Sequence, residues 1–167
     1  MFYDRERELG KLNEVYSFPG SSFLVIYGRR RVGKTALVRE FLKDKPGLYF
    51  FVGEKDEKLL LEEWSREVEE RLSGYLLSYV KPRVSSLEEL VGFLLDFSRE
   101  RRLVVVFDEF QNFKAVKPSF FSSLQELWDE KKDGSNLMLI AVGSYVGMIK
   151  RIFMDRKEPP SVGPTSG

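Results

Sequence analysis

The chain has 167 residues, of which 43% are hydrophobic and 32% charged, and 27 basic residues balance 26 acidic ones to a net charge of +1. This length suits one domain with a real core, and the even charge argues against a protein that mainly binds nucleic acid electrostatically. The sequence contains neither cysteine nor histidine, which excludes disulfides, thiolate or imidazole catalysis and Cys/His zinc sites. A bound metal would therefore have oxygen ligands, as Mg²⁺ or Ca²⁺ does.

No segment of the sequence is typical of a targeting or membrane signal. The N-terminal residues 1–7 are charged and have no apolar core of a signal peptide, and no apolar run approaches the roughly 18 residues that cross a bilayer. We therefore expect a cytoplasmic protein with no membrane partner. The lack of cysteine, the few Asn and Gln residues and the abundant Lys, Arg and Glu indicate a thermophilic source.

The first predicted elements are a helix and a buried strand. Asp4 can cap the helix, and Pro19-Gly20 ends it. Its apolar residues lie on one side: Leu9, Leu12 and Tyr16. Residues 23–27 form a continuous apolar run, which is typical of a strand buried on both faces of a parallel sheet.

Strands and helices then alternate along the rest of the chain. The spacing predicts strands over 48–52, 103–107 and 137–142. It predicts helices over 61–72 and 146–153, and three further helices that begin at Lys34, at a capping box formed by Ser85-Ser86, and at Pro118. Alternation of this kind predicts an α/β fold with a mainly parallel sheet. The core domain is expected to cover residues 1–156, and the Pro/Gly/Ser-rich tail, 157–167, is expected to lack fixed structure.

The turn between the first strand and the second helix carries a phosphate-binding motif. Residues 28–35 read GRRRVGKT and match G-x-x-x-x-G-K-[ST] at every fixed position. In such a loop the backbone N–H groups and the helix N-terminus surround phosphates, Lys34 reaches the β- and γ-phosphates and the Thr35 hydroxyl binds Mg²⁺. The candidate ligands of a nucleoside triphosphate are Gly28, Arg29, Arg30, Arg31, Val32, Gly33, Lys34, Thr35 and Ala36. The three arginines are interpreted as solvated, although phosphate attraction or partner contact stays open.

Two carboxylates, Asp108 and Glu109, follow the apolar run 103–107. The carboxyl end of a strand in an open α/β sheet borders the ligand crevice. Asp108 can therefore orient Mg²⁺ together with Thr35, which makes these two residues the predicted metal site. Glu109 can orient a water in line with the γ-phosphate or accept its proton.

Three further polar residues are candidates to line the same site. Ser144 follows the run 137–142 and can contact the γ-phosphate or the attacking water, which gives it a predicted catalytic role beside Lys34 and Glu109; a helix cap is its alternative role. Gln111 and Asn112 follow the two acids closely in the chain.

The motifs together resemble those of the archaeal ATPase family, the AAA+/STAND-type P-loop ATPases. The resemblance rests on FYDREREL at 2–9, GRRRVGKT at 28–35, FDEFQ at 107–111 and VGS at 142–144, which occur in the family's order. It implies a P-loop NTPase three-layer sandwich with sheet order 5-1-4-3-2, Walker A at 28–35, Walker B at Asp108 and Glu109, and sensor 1 at Ser144. It also implies that Phe2, Tyr3 and Arg5 lie beside the base of bound ATP.

The sequence departs from the family after Ser144. Members usually continue into a fifth strand, a helical lid and often a winged-helix DNA-binding domain, and a Gly-Arg pair supplies an arginine finger; residues 145–167 contain no such pair. We therefore expect the fifth strand to be missing, so that strand 23–27 is an edge open to a second copy or a protein partner. DNA binding is not expected of this chain. Because loss of an arginine finger removes about 10³–10⁵ in rate, ATP·Mg²⁺ binding with slow or no hydrolysis is expected.

Two other functions fit the same loop. One is a nucleotide-dependent switch or interaction module that binds ATP or ADP without turnover. The other is a small P-loop kinase, which would need an acceptor site and an Arg-rich lid that the sequence does not reveal. A GTPase is disfavoured, since N-K-x-D is absent and no D-x-x-G stands in the switch position.

Overall fold

The computed structural model describes residues 5–28, 33–75, 84–144 and 161–162. Within these residues five strands form one parallel sheet in the order β2-β3-β4-β1-β5. The strands are β1 (Ser22–Tyr27), β2 (Gly47–Phe51), β3 (Leu103–Asp108), β4 (Leu137–Gly143) and β5 (Ser161–Val162). Read from the other edge, this is the predicted order 5-1-4-3-2, so the α/β class and the strand order are confirmed.

Helices cover both faces of the sheet and complete three layers. They are α1 (Arg5–Ser17), α2 (Lys34–Leu42), α3 (Glu57–Leu72), α4 (Leu87–Phe97), α5 (Phe113–Val116) and α6 (Phe120–Lys131). Apolar residues of α1 and α2 pack with one face of the strands in the smaller core. Those of α3 to α6 pack with the other face in the larger core. No helix in these residues is long and apolar enough to cross a membrane.

The helix starts follow local sequence signals. Ser86 caps α4, its Oγ accepting a hydrogen bond from the Glu89 N–H at 3.0 Å, while the Glu89 carboxylate accepts from the Ser85 N–H at 2.9 Å. These bonds satisfy N–H groups that have no partner within the helix. The serine half of the predicted capping box is therefore confirmed, while Glu89 reaches back to Ser85, one residue before the cap. By contrast, α6 begins at Phe120, after a turn that contains Pro118.

The larger core contains a cluster of aromatic rings around Phe107. The Phe107 ring centroid lies 5.3 to 6.4 Å from those of five others: Phe50, Trp64, Phe110, Phe113 and Phe120. Successive side chains of a strand point to opposite faces, so the next residue, Asp108, points away from these rings. The aromatic cluster thus anchors the end of β3 that carries the acidic residues.

The fifth strand corrects two expectations. Ser161 and Val162 pair in parallel with Val25 and Ile26 of β1, so the fifth strand is not missing and β1 is not an open edge at these two positions. Residues 161–162, which form this strand, belong to the tail 157–167. The physical reason is that strand pairing uses main-chain groups, which a segment rich in Pro, Gly and Ser still offers between its prolines. The helix predicted over 146–153 lies outside the described residues.

Candidate functional site

The carboxyl ends of the parallel strands meet at one edge of the sheet. In the strand register Phe51 lies beside Asp108, Asp108 beside Val142, and Tyr27 beside Gly143. A cavity of about 520 Å³ opens at this edge, between the start of α2 and the ends of β2 and β3. Its described lining is Gly33, Lys34, Thr35, Ala36, Phe51, Glu54, Asp108, Glu109 and Asn112.

Two glycines bound the described ends of the loop between β1 and α2. Gly28 has φ 152° and Gly33, which precedes α2, has φ 85°. Residues with a Cβ rarely adopt these backbone conformations, so the two glycines of the motif occupy positions where the backbone requires glycine. Gly33 leads directly into α2, whose first N–H groups have no partner within the helix. The helix therefore begins against the cavity with its positive dipole end.

Lys34 is buried where this loop joins α2. Its side chain is only 8% exposed, and its Nζ donates a hydrogen bond of 3.0 Å to the carbonyl oxygen of Gly28. Burial of an ammonium group is costly without polar partners. The bond to Gly28 therefore holds a positive charge at the cavity wall, where an anion would meet it.

Asp108 is the buried acidic group of the cavity. It is 2% exposed, and three donors reach its carboxylate. Its Oδ2 accepts hydrogen bonds from the Thr35 hydroxyl, at 2.7 Å, and from the Tyr49 hydroxyl, and its Oδ1 accepts from the Glu109 N–H at 2.9 Å. Burial and the bond to Asp108 raise the pKa of Tyr49 above its ordinary value, so Tyr49 acts as a donor.

The donor set suits Mg²⁺. The Thr35 hydroxyl and the Asp108 carboxylate bring oxygen atoms together, and Mg²⁺ characteristically uses one or two protein oxygens with waters and phosphates. In the part of the chain that the structure describes, no group of three or more Asp, Glu, His or Cys residues clusters as a self-sufficient metal site. The residues therefore fit a cation that arrives with a polyphosphate.

Glu109 has an unusual backbone conformation. Its φ of 58° is the only positive value at a non-glycine residue among those described, and left-handed backbone of this kind stores strain at functional sites. Its carboxylate lines the cavity and accepts a hydrogen bond from the Gln111 side-chain amide. Asn112, also in the lining, donates from its Nδ2 to the Val52 carbonyl at 2.8 Å. The 3₁₀ turn Phe110–Asn112 thus shapes one wall.

The structure brings most of the predicted residues together. Gly33, Lys34, Thr35, Ala36, Asp108, Glu109 and Asn112 line the cavity, and Gly28 and Gln111 contact it through Lys34 and Glu109.

The remaining predicted residues stand apart from that lining. Ser144 follows β4 one residue past Gly143, which lies beside Tyr27. It is therefore near the start of the loop but not among the described residues of the lining. Arg5 begins α1 and is exposed. Arg29, Arg30, Arg31 and Val32, with Phe2 and Tyr3, lie outside the described residues.

Three residues of the site are absent from the sequence predictions. Tyr49 contacts Asp108, and Phe51 and Glu54 line the cavity, with Phe51 52% exposed. An aromatic residue at the end of an apolar run is ordinarily assigned to the core, so the sequence alone does not mark Tyr49 and Phe51 as residues of the site. Adjacency of β2 and β3 in the implied sheet order is the signal that could have found both.

The sheet order, the Gly-rich loop between β1 and α2 and the acidic end of β3 define a P-loop NTPase fold. The model of the family described as an ATPase domain predominantly from Archaea matches residues 2–160. The chain belongs to this family, which confirms the resemblance seen in the sequence.

Individual relatives agree with this assignment. An uncharacterized protein of Methanocaldococcus jannaschii is 30% identical over 159 residues, which are 95% of this chain and 33% of the relative. An uncharacterized ATP-binding protein of Pyrococcus abyssi is 45% identical over 49 residues, 29% of this chain and 15% of the relative.

Solved structures show the same fold. A Walker-type ATPase of Pyrococcus abyssi superposes with a TM-score of 0.73 at 25% identity, over 98% of this chain and 53% of that one. The Aeropyrum pernix ORC1 protein, solved in complex with DNA, has a TM-score of 0.62 at 18% identity, over 99% of this chain and 46% of that one, and shows the fold alone. The chain thus spans a third of the first relative and about half of these structures.

Proposed function

We propose that this domain binds ATP together with Mg²⁺ in the cavity at the start of α2 and hydrolyses it slowly. The observation that carries the proposal is the 2.7 Å hydrogen bond between Thr35 and Asp108. It joins a hydroxyl of the phosphate-loop motif, in α2, to a buried carboxylate at the end of β3. Family membership and the relatives named ATP-binding proteins support adenine nucleotide as the ligand.

Each part of the cavity has a separate task in binding. The N–H groups at the start of α2 and the Lys34 ammonium face the phosphates, while Thr35 and Asp108 would hold Mg²⁺. When bound, Mg²⁺ neutralises the charge that develops on the β- and γ-phosphate oxygens.

Glu109 is the residue proposed to activate water. Its carboxylate stands in the cavity beside Asp108 and can accept a proton from a water that attacks the γ-phosphorus. In that step a bond forms from the water oxygen to phosphorus, and the bond to the oxygen bridging the β- and γ-phosphates breaks. ADP and inorganic phosphate are the products.

A specific observation supports a second candidate, the switch without turnover. The Gln111 amide donates to the Glu109 carboxylate, and this bond occupies an oxygen that an attacking water would otherwise contact. The two candidates differ in steady-state turnover. Equal amounts of released phosphate and ADP would support hydrolysis, and tight binding with no release would support the switch.

Calorimetry with ATP and Mg²⁺ tests the binding proposal. Lys34→Ala is expected to weaken ATP binding by roughly 10- to 100-fold or more, because a hydrogen bond to a charged group contributes about 1.5–3 kcal/mol. Lys43→Ala is the matched control, since Lys43 caps the other end of α2 and is exposed. Zero heat and no thermal shift of the unaltered chain at saturating ATP·Mg²⁺ would refute the proposal.

A further inference from the structure

Two hydroxyl groups from different elements donate to the same oxygen of Asp108. Thr35 reaches Oδ2 from α2, and Tyr49 reaches it from β2. Oδ1 is occupied by the N–H of Glu109. Thr35 belongs to the phosphate-loop motif, whereas no motif accounts for Tyr49.

The fold holds the Tyr49 hydroxyl in place. In the pairing of β2 with β3, Tyr49 lies beside Val106, two residues before Asp108 and on the same face of the sheet. The Tyr49 N–H donates to the Glu67 carboxylate at 3.0 Å, and the Arg39 guanidinium lies 4.1 Å from the centre of the Tyr49 ring. Main chain and ring are therefore both restrained, and the hydroxyl reaches Asp108 at the acidic end of β3.

The two hydroxyls differ in what else they would do when a cation is bound. Thr35 would offer an oxygen lone pair to the cation, and its proton could still serve Asp108. The Tyr49 hydroxyl donates to Oδ2 and the Glu109 N–H to Oδ1, one donor on each carboxylate oxygen. Tyr49 would thus hold Oδ2 in place without itself being needed as a ligand of the cation.

We propose that Tyr49 is a positioning residue of the nucleotide site, whose hydroxyl orients Asp108 for the divalent cation that accompanies ATP. This inference rests on the proposed function. Donors that orient a metal-binding carboxylate typically change metal affinity about 10- to 100-fold when they are removed. Tyr49 should therefore act on the contribution of Mg²⁺ to binding rather than on the nucleotide contacts themselves.

The test compares ATP affinity in Mg²⁺ with ATP affinity in excess chelator, by calorimetry, for the unaltered chain and Tyr49→Phe. The substitution keeps the ring and its contact with Arg39 and removes only the hydroxyl. The gain in affinity from Mg²⁺ is expected to fall about 10-fold or more, while affinity in chelator stays within about twofold. Tyr16→Phe is the matched control, because Tyr16 packs against the same smaller core and contacts Phe41 rather than the cavity.

A second variant separates positioning from a general structural effect. In an Asp108→Asn background, Tyr49→Phe is expected to leave the remaining Mg²⁺ gain unchanged, since the group that it orients has already been altered. An unchanged Mg²⁺ gain in Tyr49→Phe alone, or an equal loss with and without Mg²⁺, would overturn the inference and leave ATP binding intact. An unaltered chain that binds no ATP would overturn the proposed function and this inference together.

Discussion

Thr35 and Asp108 stand 73 positions apart in the chain and are joined by a 2.7 Å hydrogen bond. Asp108 ends β3, Thr35 lies in the helix that follows β1, and β4 runs between these two strands. Parallel strands bring their carboxyl ends to one edge, so a helix start and an acidic strand end form a single site. This relationship is the basis for treating the cavity as a nucleotide site.

Glu109→Gln is expected to lower the steady-state rate of phosphate release by roughly 100-fold or more, the range typical for loss of a general base. Affinity for ATP should stay within about twofold, because Gln has nearly the same shape. Phosphate release and calorimetry measure the two effects. Glu54→Gln, which alters another carboxylate of the cavity, should retain most of the rate. Unchanged turnover in Glu109→Gln would remove Glu109 from the chemistry.

Backbone strain at Glu109 predicts an unusual order of stability. Glu109→Gly should be more stable than Glu109→Ala by about 1 kcal/mol, because glycine adopts a φ of 58° without the strain that the Cβ of alanine causes. Urea unfolding measures the difference. At Glu62, an exposed position inside α3, the order should reverse by a similar amount. The same order at both positions would contradict strain at Glu109.

Lys117 links α3 and α4 to the segment after α5. Its Nζ lies 2.8 Å from Glu57 Oε2 and 2.7 Å from Glu88 Oε1. Lys117→Met is expected to destabilise the domain by about 1 kcal/mol near neutral pH, the upper end for partly exposed pairs. Thermal unfolding measures this effect, and Lys114→Met, at an exposed position of α5, is the control.

The Lys117 effect should also depend on pH. Hydrogen bonds to Glu57 and Glu88 raise the pKa of Lys117, so its stabilisation is full below pH 10.5 and is lost as pH rises through the raised value. Partial burial opposes ionisation of Glu57, but hydrogen bonds from Lys117 and the Leu87 N–H outweigh it and lower the pKa of Glu57. That stabilisation is full above pH 4.5 and is lost as pH falls through the lowered value. A cost independent of pH would contradict the ion pairs as its source.

Arg102 joins the end of α1 to the sheet. Its guanidinium donates to the carbonyl oxygens of Gly20, Val15 and Tyr16, the last at 3.2 Å, and lies 5.1 Å from the centre of the Tyr16 ring. Arg102→Met should cost about 2 kcal/mol in unfolding free energy, because helix-end carbonyls lose charged donors. Arg101→Met, at the exposed neighbouring position, is the control and should lower the unfolding free energy much less. Similar losses in both variants would refute this role.

The sequence predicted those features that local patterns encode. Continuous apolar runs marked the four longer strands, Ser86 marked the start of α4, and the loop motif marked Lys34 and Thr35. The sheet order came from the family resemblance, and the register then brought Asp108 to Thr35. Each of these features depends on spacing within a short segment or on a motif with one known position in the fold.

The features that were missed depend on contacts across the fold. Tyr49 looks like a core residue within its own strand, and its partner Asp108 lies 59 positions away. The strand Ser161–Val162 has only two residues and pairs through its backbone, so its side chains carry no pattern. The turn after Glu109 takes its shape from aromatic packing of Phe110 and Phe113, which no short-range signal specifies.

Phe107 and Asp108 are neighbours in β3, yet one belongs to a wall of interlocked rings and the other to the ligand cavity. Close-packed interiors resist deformation, so the buried rings restrain the end of β3 that carries the carboxylate. A displacement of its oxygens requires the ring layer behind it to yield. A substitution that loosens these rings would therefore displace the Asp108 carboxylate as well as destabilise the domain.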